Sequence, residues 1–286
     1  MALATMTEML QSARAQQYAV GAFNIVDYNS MRAVIRAAEE LSAPVIVQTS
    51  VKTVVYWGHA TLVSWFRELA AESPVPVALH LDHCREVDFA VQCLDAGWTS
   101  VMFDGSALPF AENLALTRQV AARAEAAGAS LEAELGRIGG VEEAVAVADP
   151  DALLADPDEA VAFCREVKLA AFAPAIGTAH GRYKGKPRIA FDRLEAIATR
   201  TGLPLALHGG TGLEDDVFRK CIALGCAKVN ISTQIKHAFI DSFVDYHQAH
   251  HEYEPLKPLA AQFARLKDEV AAKIELFGGA GRAAGQ

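Results

Sequence analysis

Residues 78–84 read Ala-Leu-His-Leu-Asp-His-Cys, an apolar run that finishes with a carboxylate beside an imidazole, Asp82 then His83. Strands normally end in turn residues, so an acid and a base at that point suit proton transfer or metal binding. Further groups of the same kind recur at the ends of other apolar runs: Asp104, Glu132 and Glu134, His180, His208, then Asn230, Ser232 and Thr233. Three imidazoles with an open position suit catalytic zinc; three unrelated histidines at strand ends are the other reading. Glycine forms a second group, in GTAHGRYKGK (177–186) and HGGTG (208–212). Gly181, Gly209 and Gly210 directly follow the candidate histidines, with Lys184 and Thr211 close by. Such loops let backbone N–H groups cradle a phosphate, although loop glycines also occur without one.

These groups need elements that bring them to one place. Eight short, β-rich apolar runs recur at 19–25, 44–50, 75–82, 100–106, 130–136, 169–177, 203–210 and 227–233. Between most of them lie stretches with helical spacing, among them 30–42, 60–72 and 112–127. Strands alternating with helices imply a parallel sheet. Eight such units favour an α/β fold of the closed (β/α)8 TIM-barrel type, with additional C-terminal helices, over an open doubly wound sheet. No Gly-x-Gly-x-x-Gly follows the first run. With no internal repeat or low-complexity linker, residues 1–286 read as a single domain. In such a barrel the carboxyl ends of the strands converge on one face, where catalysis is placed. About 30 residues separate the fifth run from the sixth, beginning Gly136-Arg137-Ile138-Gly139-Gly140, and loops of that length are often functional lids.

A net charge of −9 with no basic block argues against nucleic acid or an anionic membrane as partner. The five cysteines are odd in number and form no Cys-x-x-Cys pair, which fits free thiols and a reducing compartment. No run approaches the ~20 apolar residues of a spanning helix, and the N-terminal stretch around Glu8 lacks a signal-peptide core. The expectation is a soluble, cytoplasmic protein.

With Asp82-His83, LEAELGRIGG (131–140), AIGTAHGRY (175–183), HGG (208–210) and Asn230 through Thr233 in view, the chain resembles the class II fructose-bisphosphate and tagatose-bisphosphate aldolases. It looks closest to the short tagatose-type branch, and the likeness runs from about residue 8 to Leu276-Phe277-Gly278. The resemblance implies that His83, His180 and His208 bind a catalytic Zn2+. It implies that Asp104 and Glu134 line an alternative, buried metal position. Asp82 would be the acid/base facing the aldehyde oxygen, and Glu142 would move the proton at the nucleophilic carbon. A phosphate and substrate set of Asn24, Ser50, Gly181, Lys184, Gly209, Gly210, Thr211, Asn230, Ser232 and Thr233 carries over as well, with Na+ or K+ as an activator.

The implied reaction is cleavage of a ketose 1-phosphate or 1,6-bisphosphate, in the fructose or tagatose series. Its products are dihydroxyacetone phosphate and an aldehyde, which is glyceraldehyde 3-phosphate for the bisphosphates. A divalent ion would stabilise the enediolate of the ketose half as a Lewis acid. The partner is then a small-molecule sugar phosphate, and the protein a homodimer or homotetramer. Two departures matter. Ser232 stands where fructose-type members carry Asp, and Glu254-Pro255-Leu256 stands where the family reads Asp-Pro-Arg, whose arginine holds the distal phosphate from a neighbouring subunit. Leu256 cannot bind phosphate, which leaves Lys257, Arg182 or Lys52 as substitutes. It also leaves two other readings: an aldolase for a ketose 1-phosphate with a non-phosphate distal group, and a non-catalytic aldolase-like partner subunit.

Overall fold

The computed structural model describes residues 4–136, 139–140, 154–181 and 187–283, with backbone alone for Gly139, Gly140 and His180. Eight parallel strands close into a barrel: β1 (Val20–Asn24), β2 (Val45–Ser50), β3 (Val77–Cys84), β4 (Ser100–Phe103), β5 (Ser130–Leu135), β7 (Ala171–Pro174), β9 (Leu205–Leu207) and β10 (Cys226–Ile231). Two further two-residue strands, β6 (Gly139–Gly140) and β8 (Ala179–His180), pair with each other outside the ring. The ring closes where β1 pairs with β10, Val20 opposite Lys228 and Ala22 opposite Asn230.

Helices fill the crossovers. They are α2 (Tyr28–Glu40), α3 (Val51–Trp57), α4 (His59–Ala71), α5 (Val87–Ala96), α6 (Phe110–Ala126), α7 (Pro157–Glu166), α8 (Phe191–Thr201) and α9 (Asp215–Ala223); α1 (Met6–Ala15) precedes the barrel. The residues after the last strand form α10 (Thr233–His250) and α11 (Leu256–Leu276), the extra C-terminal helices that the sequence led us to expect. Local chemistry sets the starts: Asp27 accepts from the Ser30 N–H in a reciprocal capping box, and Asp156 caps α7 ahead of Pro157.

Strand alternation then sorts the side chains. In β3, Val77, Leu79 and Leu81 join the large cluster under the helices, while Ala78 belongs to a separate cluster in the lumen. That lumen cluster also holds Val20, Ala22, Ile46, Ala171, Ala173 and Ala206, closed from below by Met6, Met9, Leu10 and Ala13 of α1. The same alternation carries His80 and Asp82 inward two and four residues further on. Buried polar residues occupy that level: Asn24, Gln48, His80, Asp82, Glu132, Glu134, His208, Lys228 and Asn230.

Candidate active site

A cavity of about 520 Å3 opens at the carboxyl ends of the strands. Its walls include Asn24, Ser50, Asp82, His83, Asp104, Glu134, Gly181, Gly209, Gly210, Thr211, Asn230, Ser232 and Thr233, all of them candidates from the sequence. His208 is buried beside it and touches His83. The backbone of His180 pairs with Gly140, and its side chain lies outside the described residues. Glu142, Arg182 and Lys184 also lie outside them.

Alternation explains Asp82 but not His83, since neighbours in a strand face opposite ways. The pairing of β3 with β4 shifts register between Leu81 and Cys84, and His83 sits at φ +46°. A non-glycine residue in the left-handed region is uncommon, and an irregularity at a strand end re-aims the side chain. Thus two consecutive residues face one cavity. Gly209 is needed for a comparable reason: its φ is +67°, and an added Cβ would lie 2.6 Å from the Ala179 carbonyl oxygen. Only a bare backbone fits against β8 there.

The imidazoles are oriented from behind. His83 Nδ1 donates to Asp104 Oδ2 at 3.0 Å, and His208 Nε2 donates to Glu132 Oε1 at 2.7 Å. The remaining nitrogens, His83 Nε2 and His208 Nδ1, face each other at 2.9 Å, with Glu134 Oε2 3.5 Å from His208 Nδ1. His83, Glu134 and His208 offer donor atoms that all lie within 4.8 Å of one another. Two imidazoles with carboxylate-bound far nitrogens and one carboxylate suit a divalent transition metal. Asp104 is outside that cluster, its other oxygen accepting from the Ser106 hydroxyl at 2.6 Å and backbone N–H at 3.2 Å.

The electrostatics ask for a cation at the same place. Burial alone would lower the His83 pKa, but the Asp82 charge, the Asp104 hydrogen bond and the Glu134 charge raise it to about 10. Burial would raise that of Asp82, but the charges of His83, Lys228 and His208 and the hydrogen bond from Asn24 lower it to about 2. Asp82 is held on both oxygens, by Asn24 Nδ2 at 2.9 Å and Asn230 Nδ2 at 3.2 Å.

Ser50 caps α3 by accepting from the Thr53 N–H, and Ser232 precedes α10 without a side-chain capping bond. Among the described residues, three cations line the cavity: Lys52, Arg85 and Lys236. Arg85 and Lys236 were not singled out from sequence, although each lies within four residues of a candidate at a strand end, Arg85 after His83 and Lys236 after Ser232. No residue of 252–259 lines the cavity; Leu256 is 71% exposed, and Lys257 donates to Glu252 at 2.6 Å.

The family model for class II fructose-bisphosphate aldolase matches residues 4–282. A 6-phospho-5-dehydro-2-deoxy-D-gluconate aldolase of Halalkalibacterium halodurans is 44% identical over 242 residues, 84% of this chain and 83% of that one. A sulfofructosephosphate aldolase of Alkalicoccus urumqiensis is 37% identical over 276 residues, 96% of each chain. The crystal structure of the YdjI aldolase of Escherichia coli K12 superposes with a TM-score of 0.88 at 29% identity, covering 99% of this chain and 100% of that one. A match over nearly the whole length, to proteins that share both the barrel and the reaction name, makes this chain an aldolase of the class II fructose-bisphosphate aldolase family.

Proposed function

We propose that the chain is a metal-dependent lyase for a sugar phosphate that carries its phosphate beside the keto group and a second acidic group at the far end. Cleavage gives dihydroxyacetone phosphate and an acidic aldehyde. The observation that carries this reading is the meeting, in one cavity, of Asp82, the His83–His208–Glu134 donor cluster and the glycine-rich loops.

His83 and His208, with Glu134 beside them and His180 from the outer strand, would hold a zinc ion, and the donor types fit it. When bound, the ion supplies Lewis-acid stabilisation of negative charge on the ketose oxygens. Asp82 takes the proton from the hydroxyl at C4 as the C3–C4 bond breaks, and the bonding electrons stay with the C3 half. That carbon then accepts a proton, a role for which Glu142 is the candidate. Asn24 and Asn230 each donate to one Asp82 oxygen and so fix the carboxylate in the cavity wall. Gly181, Gly209, Gly210, Thr211, Ser232 and Thr233 supply backbone and hydroxyl donors for the phosphate, in the loops where this fold usually binds one.

The acidic far end rests on charge and on relatives. Gly209 follows the seventh strand of the ring and Arg85 the third, so the two stand four strands apart across the barrel mouth. Lys52 lies in the first turn of α3, just after Ser50, which pairs with Asp82. The named substrates of related proteins end in a carboxylate, a sulfonate or a second phosphate. With Leu256 exposed and no residue of 252–259 lining the cavity, Lys52 and Arg85, the latter with its Nε 3.5 Å from Asp104 Oδ2, are the rim cations assigned to the distal group.

Association into two or four copies is supported by exposed apolar side chains on α10, on α11 and between them, namely Ile240, Val244, Tyr253 and Leu256. The five free thiols fit the cytoplasm.

The test is release of dihydroxyacetone phosphate from fructose 1,6-bisphosphate, tagatose 1,6-bisphosphate, fructose 1-phosphate and 6-phospho-5-dehydro-2-deoxygluconate. Each is run with and without chelator, followed by zinc or cobalt. Turnover that survives chelation, or a lysine adduct trapped by borohydride, would overturn the metal reading. A preference for fructose 1-phosphate would overturn the acidic far end.

A further inference from the structure

Below the cavity, Lys228 is fully buried in the lumen, an uncommon place for an ammonium group unless it is paired. Its Nζ lies 3.0 Å from Glu132 Oε2 and donates to Asn230 Oδ1 at 2.6 Å. Each partner leads to a different part of the site. Glu132 presents its other oxygen to His208 Nε2, and Asn230 presents its amide nitrogen to Asp82 Oδ1.

The direction of these bonds follows from donor chemistry. An ammonium has three donors and no acceptor, so only the oxygen of Asn230 can face it. The Asn230 NH2 must then point to Asp82. On the other arm, a carboxylate paired with Lys228 accepts from His208, so the ring carries its proton on Nε2. His208 Nδ1 is thereby left with its lone pair toward His83 and Glu134. Gln48 plays a smaller part of the same kind, donating to Asn24 Oδ1 at 3.0 Å so that the Asn24 amide nitrogen faces Asp82.

We propose that Lys228 is a positioning residue that sets, from one ammonium group, both the proton-transferring carboxylate and the metal-facing nitrogen of His208. The inference rests on the roles given to Asp82 and His208 above. It makes metal affinity and proton transfer depend on a side chain that touches neither substrate nor metal.

The test uses the full-length protein with Lys228→Met and with the double variant Lys228→Met/Glu132→Gln. The readouts are zinc affinity by competition with a chromogenic chelator, the visible spectrum of the Co2+ form, and kcat and KM separately. Lys228→Met is expected to weaken zinc ~10–100-fold, as loss of an orienting partner does. It should also lower kcat ~10-fold or more while KM changes little. In the double variant the neutral amide that replaces the Glu132 carboxylate still accepts from His208 Nε2, so zinc affinity and the Co2+ spectrum should return toward wild type. Turnover should stay low, because Asn230 is still unlatched. That separation is what a merely structural lysine would not produce. If Lys228→Met fails to fold, the double variant alone decides, by recovered metal binding with depressed kcat. The proposal is overturned if zinc affinity and kcat stay within two-fold of wild type with only the melting temperature changed, or if the double variant recovers both together. Wild-type protein that binds no zinc or cobalt would instead overturn the metal reading on which the inference rests.

Discussion

The lower and upper halves of the barrel lumen are built from the same strands and share almost no chemistry. Ala22 and Asn24 on β1, Ile46 and Gln48 on β2, Ala78 and His80 on β3, and Ala206 and His208 beside β9 are each one inward step apart. Two residues along a strand is about 6.6 Å. Within that distance the lumen changes from small apolar side chains, sealed by α1, to a continuous run of hydrogen-bonded polar groups. The lower half can only contribute stability, and the upper half carries buried polar groups whose cost is tolerated because they are paired.

The most severe way to break this contrast is within the upper half. Asp82→Asn should lower kcat by ~10²–10⁴, typical of losing an acid/base, while zinc content is retained. A variant with near-normal turnover would remove Asp82 from the mechanism. Moving polarity downward should do the opposite. Ala206→Asp places an unpaired carboxylate among apolar neighbours and should cost several kcal/mol of stability, read by urea unfolding. Met9→Ala in the seal should cost ~2–5 kcal/mol and leave kcat per folded molecule unchanged. A matched loss of kcat would show that the floor also shapes the site.

At the rim the effects are smaller. Lys52→Met should raise KM about ten-fold, ~1.4 kcal/mol, for substrates with an acidic far end, and leave fructose 1-phosphate unaffected. The difference should shrink in high salt. The mildest test is pH. Burial, reinforced by the Lys228 charge, lowers the His80 pKa to about 3. The folded chain therefore keeps His80 neutral where the unfolded chain binds a proton. Its stabilising effect is complete above the ordinary histidine pKa near 6.5 and is lost as pH falls from there toward 3, by at most ~1.4 kcal/mol per unit. His80→Asn should flatten that slope between about pH 6.5 and 5, and an unchanged slope would assign the dependence elsewhere.

Much of this plan was legible in the sequence. Each of the eight apolar runs overlaps a strand of the ring, with β3 reaching two residues past its run and β10 starting one residue before its own, and the helical spacings at 30–42, 60–72 and 112–127 correspond to α2, α4 and α6 with ends moved by one or two residues. The cavity residues at strand ends could be named because a parallel barrel sends them all to one face. The supporting layer was harder to see. Lys228 in Cys-Ala-Lys-Val-Asn-Ile and Glu132 in Ser-Leu-Glu-Ala-Glu-Leu lie in buried strands, two residues before Asn230 and Glu134. A charge at that inward position has to be paired, but sequence does not say with what, because the partners come from opposite sides of a ring. His83 was nameable for its type. Its turn into the cavity depends on a backbone irregularity that no residue pattern announces.

The closure of the ring has a consequence for how the chain matures. The strand that completes the barrel, β10, is the last to be synthesised, and it pairs with the first, β1, across roughly two hundred residues. That same strand brings Lys228 and Asn230 to Asp82 and Glu132. Contacts so distant in sequence form late in folding. A nascent chain lacking β10 has an open sheet edge and an Asp82 held on one oxygen instead of two, so ring closure also completes the hold on that carboxylate.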